Sequence, residues 1–171
     1  MKFSKPVFLL LAVTLFFVAC KLPKSKDELN KAAAEKIMKK DYKGAIEDLS
    51  KIIESNPTDT AAYFGRALTK LTAQDYKGAI NDYNMVLKLK PTDNWAYLDR
   101  GNAKSKLNDF KGALADFSKA FELNAANSEA VLSRAICKQN LGDQVGACED
   151  YKTAVYLGAP QAAEMLAANC K

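Results

Sequence analysis

The pentapeptide DYKGA stands at positions 41–45 and again at 75–79, and close variants follow at the same interval, DFKGA at 109–113 and DQVGA at 143–147. A period of 34 residues held four times constrains the fold more than any local propensity. Self-similarity at about 20–50 residues marks a chain built from stacked copies of one supersecondary unit. Counted from the pentapeptides, the units run 26–59, 60–93, 94–127 and 128–161. Within the second, Tyr63, Ala67 and Leu71 recur every four residues and predict one helical stripe. Asp75 is suited to cap a second helix, since its carboxylate can accept from free backbone N–H groups. Ile80, Tyr83, Val86 and Leu87 give that helix its apolar face, and Pro91 stops it.

The pentapeptide therefore reads as an interhelical corner made of a cap, an aromatic plug at Tyr76, and Gly78 and Ala79, which let two helix backbones approach closely. The alanine recurs at Ala45, Ala113 and Ala147, and the aromatic at Tyr42 and Phe110, with Gln144 in the last unit. Pro57 and Pro91 give way to Ala125 and Ala159. Terminal units of a stack have one neighbour only and tolerate such departures.

Over about 26–161 the sequence resembles the tetratricopeptide repeat family, whose period is also 34 residues. The resemblance implies an all-α solenoid of antiparallel helix pairs wound into a right-handed superhelix with a concave face. Residues 162–171 then form a capping helix over the last pair. The resemblance also implies that the first helix of each unit faces the ligand. The binding residues expected from that set are the apolar Phe64, Leu68, Leu71, Trp95, Leu98, Leu132 and Ile136, with the polar Asn102 beside them. A groove of this kind suits an amphipathic helix or an extended apolar peptide. Trp95, the sole tryptophan, is an anchor of the type that dominates such interfaces. Relatives that hold a terminal carboxylate use a clamp of five Lys, Asn and Arg side chains. The matching positions here are Asn30, Ala34, Gly65, Trp95 and Asp99; none is basic, and that ligand is not expected. The same apolar face could instead pair with a second copy, giving a homo-oligomer or an envelope-assembly element.

Charges repeat with the same period. Arg66, Arg100 and Arg134 are matched by Asp48, Asp82, Asp116 and Asp150 and by Lys36, Lys70, Lys104 and Lys138. Each arginine on a first helix is expected to reach an aspartate on an adjacent second helix, as an exposed ladder knitting neighbouring units together.

MKFSK is a short basic start, followed by the uncharged PVFLLLAVTLFFVA and then Cys20. Fourteen residues are short for a membrane span, which needs about 20, and the order of segments is that of a secretory signal. The segment resembles a bacterial lipoprotein signal over residues 1–19. Val18 and Ala19 suit the box before the lipidated cysteine, whereas Phe17 departs from the aliphatic residue usual there. The resemblance implies cleavage before Cys20 and acyl chains such as palmitate on it, anchoring the chain to a membrane. An uncleaved N-terminal anchor is the other reading, and both leave the repeats outside the cytoplasm. Residues 20–28, polar and with Pro23, are expected to be a tether.

The remaining cysteines are Cys137, Cys148 and Cys170. Cys148 falls on the second helix of the last unit and Cys170 near the end of the cap expected to pack on it. The residues allow either a Cys148–Cys170 disulfide or three unpaired thiols. Similar proteins with GACED in the last repeat tend to end in a cysteine, which favours the disulfide.

Other functions have little to stand on. Without the first 19 residues the chain carries 23 basic against 20 acidic residues, an interleaved balance and no footprint for nucleic acid. The chain has no histidine, hence neither the commonest general base nor the commonest transition-metal ligand. No phosphate-binding glycine loop or zinc pattern appears. The expectation is a protein-interaction scaffold without catalytic residues, metal or cofactor.

Overall fold

A computed structural model of the chain describes residues 24–170. Cys20 and the residues before it lie outside the described part. Among the described residues there are nine α-helices and no strand. The first two units are α1 (Lys26–Met38) with α2 (Tyr42–Ser55) and α3 (Thr60–Thr72) with α4 (Tyr76–Leu89). The next two are α5 (Asn94–Lys106) with α6 (Phe110–Leu123) and α7 (Ser128–Asn140) with α8 (Gln144–Tyr156), and α9 (Ala162–Asn169) closes the stack. Each helix packs on its sequence neighbours, so the solenoid is quasi-one-dimensional. Beyond those neighbours, α3 approaches α5 and α5 approaches α7. The first helices of the units therefore crowd together and line the concave side.

The repeated pentapeptide sets the corners. Asp41, Asp75, Asp109 and Asp143 each cap a second helix, accepting from the backbone N–H of Gly44, Gly78, Gly112 and Gly146. The residue before each cap, Lys40, Gln74, Asn108 or Gly142, has a positive φ that turns the chain back on itself. The alanines behave as the sequence suggests: Ala45, Ala79, Ala113 and Ala147 are wholly buried between helices. The glycines do not. A Cβ at Gly78 would collide with the carboxylate of its own cap, Asp75, and the other three meet their caps in the same way. The glycine is there to seat the cap, and the alanine alone makes the close helix contact. A true close approach occurs at buried Gly101, where a Cβ would stand 2.7 Å from the Phe117 ring.

The structure corrects two further expectations. The tether ends earlier than residue 28, because α1 begins at Lys26. Ser25 accepts from the Glu28 N–H while the Glu28 carboxylate accepts from the Ser25 N–H, a capping box that fixes a helix start without an apolar signal. The charge ladder does not run between units as ion pairs. Arg66 grips Asp82, Arg100 grips Asp116 and Arg134 grips Asp150, each joining the two helices of one hairpin. The contact between units comes from the same guanidinium, whose Nη1 donates to Ser50 Oγ from Arg66 and to Asn84 Oδ1 from Arg100. Nor are the pairs exposed: Asp48, Asp82, Asp116 and Asp150 are all buried.

Candidate functional site: the concave cleft

α3 and α5 place their N-terminal turns side by side, and an open cleft of about 800 Å³ lies between them. Phe64, Gly65 and Ala61 of α3, Trp95 of α5 and Val86 of α4 supply its apolar lining. Asn56, Thr58, Asp59 and Asp93, from the connections before α3 and α5, and Lys26 and Lys90 form a polar rim. Trp95 is 55 % exposed and Leu68, one turn beyond Phe64 on α3, is 46 % exposed. Side chains of that size left open to water on a concave surface mark a place where something else can bind.

The expected binding residues divide. Phe64 and Trp95 line the cleft, and Leu68 is exposed one turn from Phe64. Leu71 is half-buried and packs on the core shared by the first two units, and Asn102 is half-buried on α5. Leu98 is a correction. It is 1 % exposed and packs with Ala113, Phe117, Ala130 and Cys137, because its side of α5 faces α6 and α7. Leu132 and Ile136 are half-buried and share a cluster with Tyr151 and with Met165, Leu166 and Cys170 at the C-terminus. That end of the apolar face is largely occupied by the protein itself. Sequence reasoning missed the rim residues, which, apart from Lys26 of α1, come from the connections between units. The signal that points to them in the sequence is the aspartate recurring at Asp59 and Asp93.

The rim charges are internally matched. Lys26 Nζ lies 2.6 Å from Asp59, and Lys90 Nζ 2.9 Å from Asp93. The Lys26 ammonium holds the Asp59 carboxyl below the usual carboxylate range. Deeper in, the Phe64 ring meets Tyr83 edge-on at 5.6 Å between centroids. The Tyr83 side chain is wholly buried and its hydroxyl makes no aligned hydrogen bond. The hydroxyl lies against the Asp99 carboxyl, and burial raises the phenol's pKa. Asp99 is half-buried, and burial pushes its carboxyl up to about 6. The titratable groups around it are Tyr83, Glu129 and Asp93, with no cation among them.

At the C-terminal end Cys148 and Cys170 form a disulfide with Cα atoms 5.7 Å apart, tying the end of α9 to α8. Cys137 is a free, buried thiol, and burial pushes its pKa up to about 11. Its burial leaves it packing rather than reacting. Among the described residues no helix is long and apolar enough to cross a membrane.

Comparison with known proteins agrees with this architecture. The crystal structure of MamA protein superposes with a TM-score of 0.78 at 20 % identity, covering 82 % of this chain and 78 % of that one. MamA 41-end from Desulfovibrio magneticus RS-1 gives 0.74 at 19 % identity, covering 80 % and 77 %. The first TPR of Spaghetti (RPAP3), solved bound to HSP90 peptide SRMEEVD, gives 0.65 at 23 % identity, covering 68 % and 93 %. At these identities the likeness speaks for the fold. No curated protein sequence matches the chain. Tetratricopeptide repeat family models match residues 39–94 and 96–127, about half of the chain between them. With four stacked hairpins of the same period, the chain belongs to the tetratricopeptide repeat family.

Proposed function

We propose that this protein is a membrane-anchored, extracytoplasmic lipoprotein that acts as a non-catalytic interaction scaffold, holding a peptide or helix of a partner protein in the cleft between α3 and α5. The observation that carries the binding half is the open, apolar-floored cleft with Trp95 exposed at its edge. A rigid aromatic presented beside a polar rim is the usual anatomy of a peptide-binding hot spot. The order of the first twenty residues, a basic start, an apolar stretch and Cys20, supports the anchor. The Cys148–Cys170 bridge supports the location, since structural disulfides persist in oxidising compartments.

Replacing Phe64 and Trp95 together by Ala is expected to reduce recovery of partner proteins from native membranes by about tenfold or more, the scale of losing a hot-spot aromatic. The far-UV circular dichroism should stay that of the wild type. Equal recovery by the two forms removes the cleft as the binding site. The intact mass of the membrane-extracted protein checks the anchor: an acylated chain beginning at Cys20 is expected, and one beginning at Met1 removes the lipoprotein reading.

A further inference from the structure

Among the described residues the buried carboxylates Asp48, Asp59, Asp82, Asp116 and Asp150 each face at least one cation. Asp99 breaks that rule. It is half-buried, stands one helical turn after Trp95 on the same face of α5, and no basic side chain among the described residues pairs with it. The wholly buried Tyr83 hydroxyl beside it is likewise without an aligned partner. A half-buried carboxylate with a phenol hydroxyl but no cation beside it, next to an exposed indole, describes a half-built site, because buried carboxylates are ordinarily paired with a counter-charge. The local field has one sign. Glu129 of α7 and Asp93 add negative charge, and the two lysines of the rim are engaged by Asp59 and Asp93.

We propose that this corner takes a lysine or arginine side chain of the peptide lying in the cleft, its cationic head set on the Asp99 carboxylate and its aliphatic stem laid on Trp95. The inference rests on the cleft being a peptide site, and it adds the chemistry of the peptide. A cation there supplies the missing counter-ion, and the neighbouring indole face favours it further. An acidic residue in its place meets three carboxylates and is rejected by like charge. Asp99 titrates near 6, so the site is charged, and selective, at neutral pH and loses its preference as pH falls below that value. Tyr83, Glu129 and Asp93 face Asp99 from α4, α7 and the start of α5. The Glu129 and Asp93 charges add to the upward push of burial on Asp99, whereas the Tyr83 hydroxyl opposes it.

Trp95 is the only tryptophan, so its fluorescence reports the corner directly. The test titrates the full chain, in zwitterionic lipid nanodiscs, with an acetylated decapeptide of leucine, alanine and serine carrying one central lysine. Copies with glutamate or acetyl-lysine at that place serve as comparisons. The lysine peptide is expected to bind about tenfold tighter than the glutamate peptide, with acetyl-lysine between them, the scale of one part-desolvated charge pair. Asp99→Asn, nearly isosteric and free of the uncompensated charge, should bring all three within about twofold of one another and remove the pH dependence. Asp99→Ser repeats the measurement should the amide misfold. Preference for lysine that survives in both variants overturns the proposal. Equal binding of all three peptides to the wild type overturns it while leaving the cleft a peptide site. Binding of none overturns both.

Discussion

Replacing Asp116 with Ala lowers the unfolding free energy by about 3–5 kcal/mol, the cost of breaking a buried ion pair by removing one partner. Asp116 is 3 % exposed and ties α5 to α6 through Arg100 and Lys104. Arg100 Nε and Nη2 donate to its two oxygens at 2.9 and 2.6 Å, and Lys104 Nζ lies 2.7 Å away. Without the carboxylate, two adjacent cations face each other in a part-buried seam. Arg100, whose guanidinium also stacks over Tyr97 at 5.4 Å from the ring centroid, loses the partner that aims it at Asn84 of the preceding unit. Two interfaces therefore weaken from one deletion. The exposed pair Lys119–Glu122 is the control, since Lys119→Ala should leave the urea midpoint nearly unchanged. Urea unfolding measures both. A loss at Asp116 no larger than that at Lys119 means the carboxylate is hydrated and the ladder is ornamental.

Opening the Cys148–Cys170 bridge gives the second large effect. The bridge spans 22 residues of sequence, and closing a loop of that length stabilises by about 3 kcal/mol in the chain-entropy picture. The loss falls locally. α9 has eight residues, too few to persist as an isolated helix, and the Gln161 before it holds a left-handed φ of 66° without a side-chain cap. Its hold on the body is the bridge, the buried Ala162, the packing of Met165 and Leu166 on the Tyr151 cluster, and the Gln139–Asn169 hydrogen bond. With Cys148 and Cys170 both changed to Ser, amide exchange over 162–169 should quicken by two or more orders of magnitude, about 3 kcal/mol being a factor above one hundred. Residues 26–123 should keep their protection. Unchanged exchange in α9 means packing alone holds the cap. A thiol count on unreduced, denatured protein beginning at Lys21 gives one reactive group if the bridge is formed and three if it is not.

Period and type of structure are written in this sequence because the same contact is specified four times. An aspartate cap, a glycine that clears room for it and an alanine at the helix crossing recur at fixed offsets, so each corner corroborates the others. Helix starts at Tyr42, Tyr76, Phe110 and Gln144 follow directly from the caps. The site was less legible, for three physical reasons. The pattern shows that Leu98 is apolar and on a first helix, but burial depends on which flank of α5 the next unit covers. Leu132 and Ile136 fit the groove by position, yet the final turns of the chain and Tyr151 cover much of them, a tertiary contact with no repeat to announce it. In the sequence Asp99 is only one of five clamp positions that lack a basic side chain. Its environment became meaningful only once Tyr83 arrived from the preceding helix and no cation did.

The claim on which the rest turns is that the α3–α5 cleft is where this scaffold meets its partner. Site-specific photocrosslinking in living cells tests that most directly. A benzophenone side chain is placed at Leu68 or Trp95 in the concave face, or at Tyr156, which is 89 % exposed on α8 and outside the cleft. Discrete adducts to a second protein from positions 68 and 95, with none from 156, are the expected result. Adducts from 156 alone, or equally from all three, would contradict it.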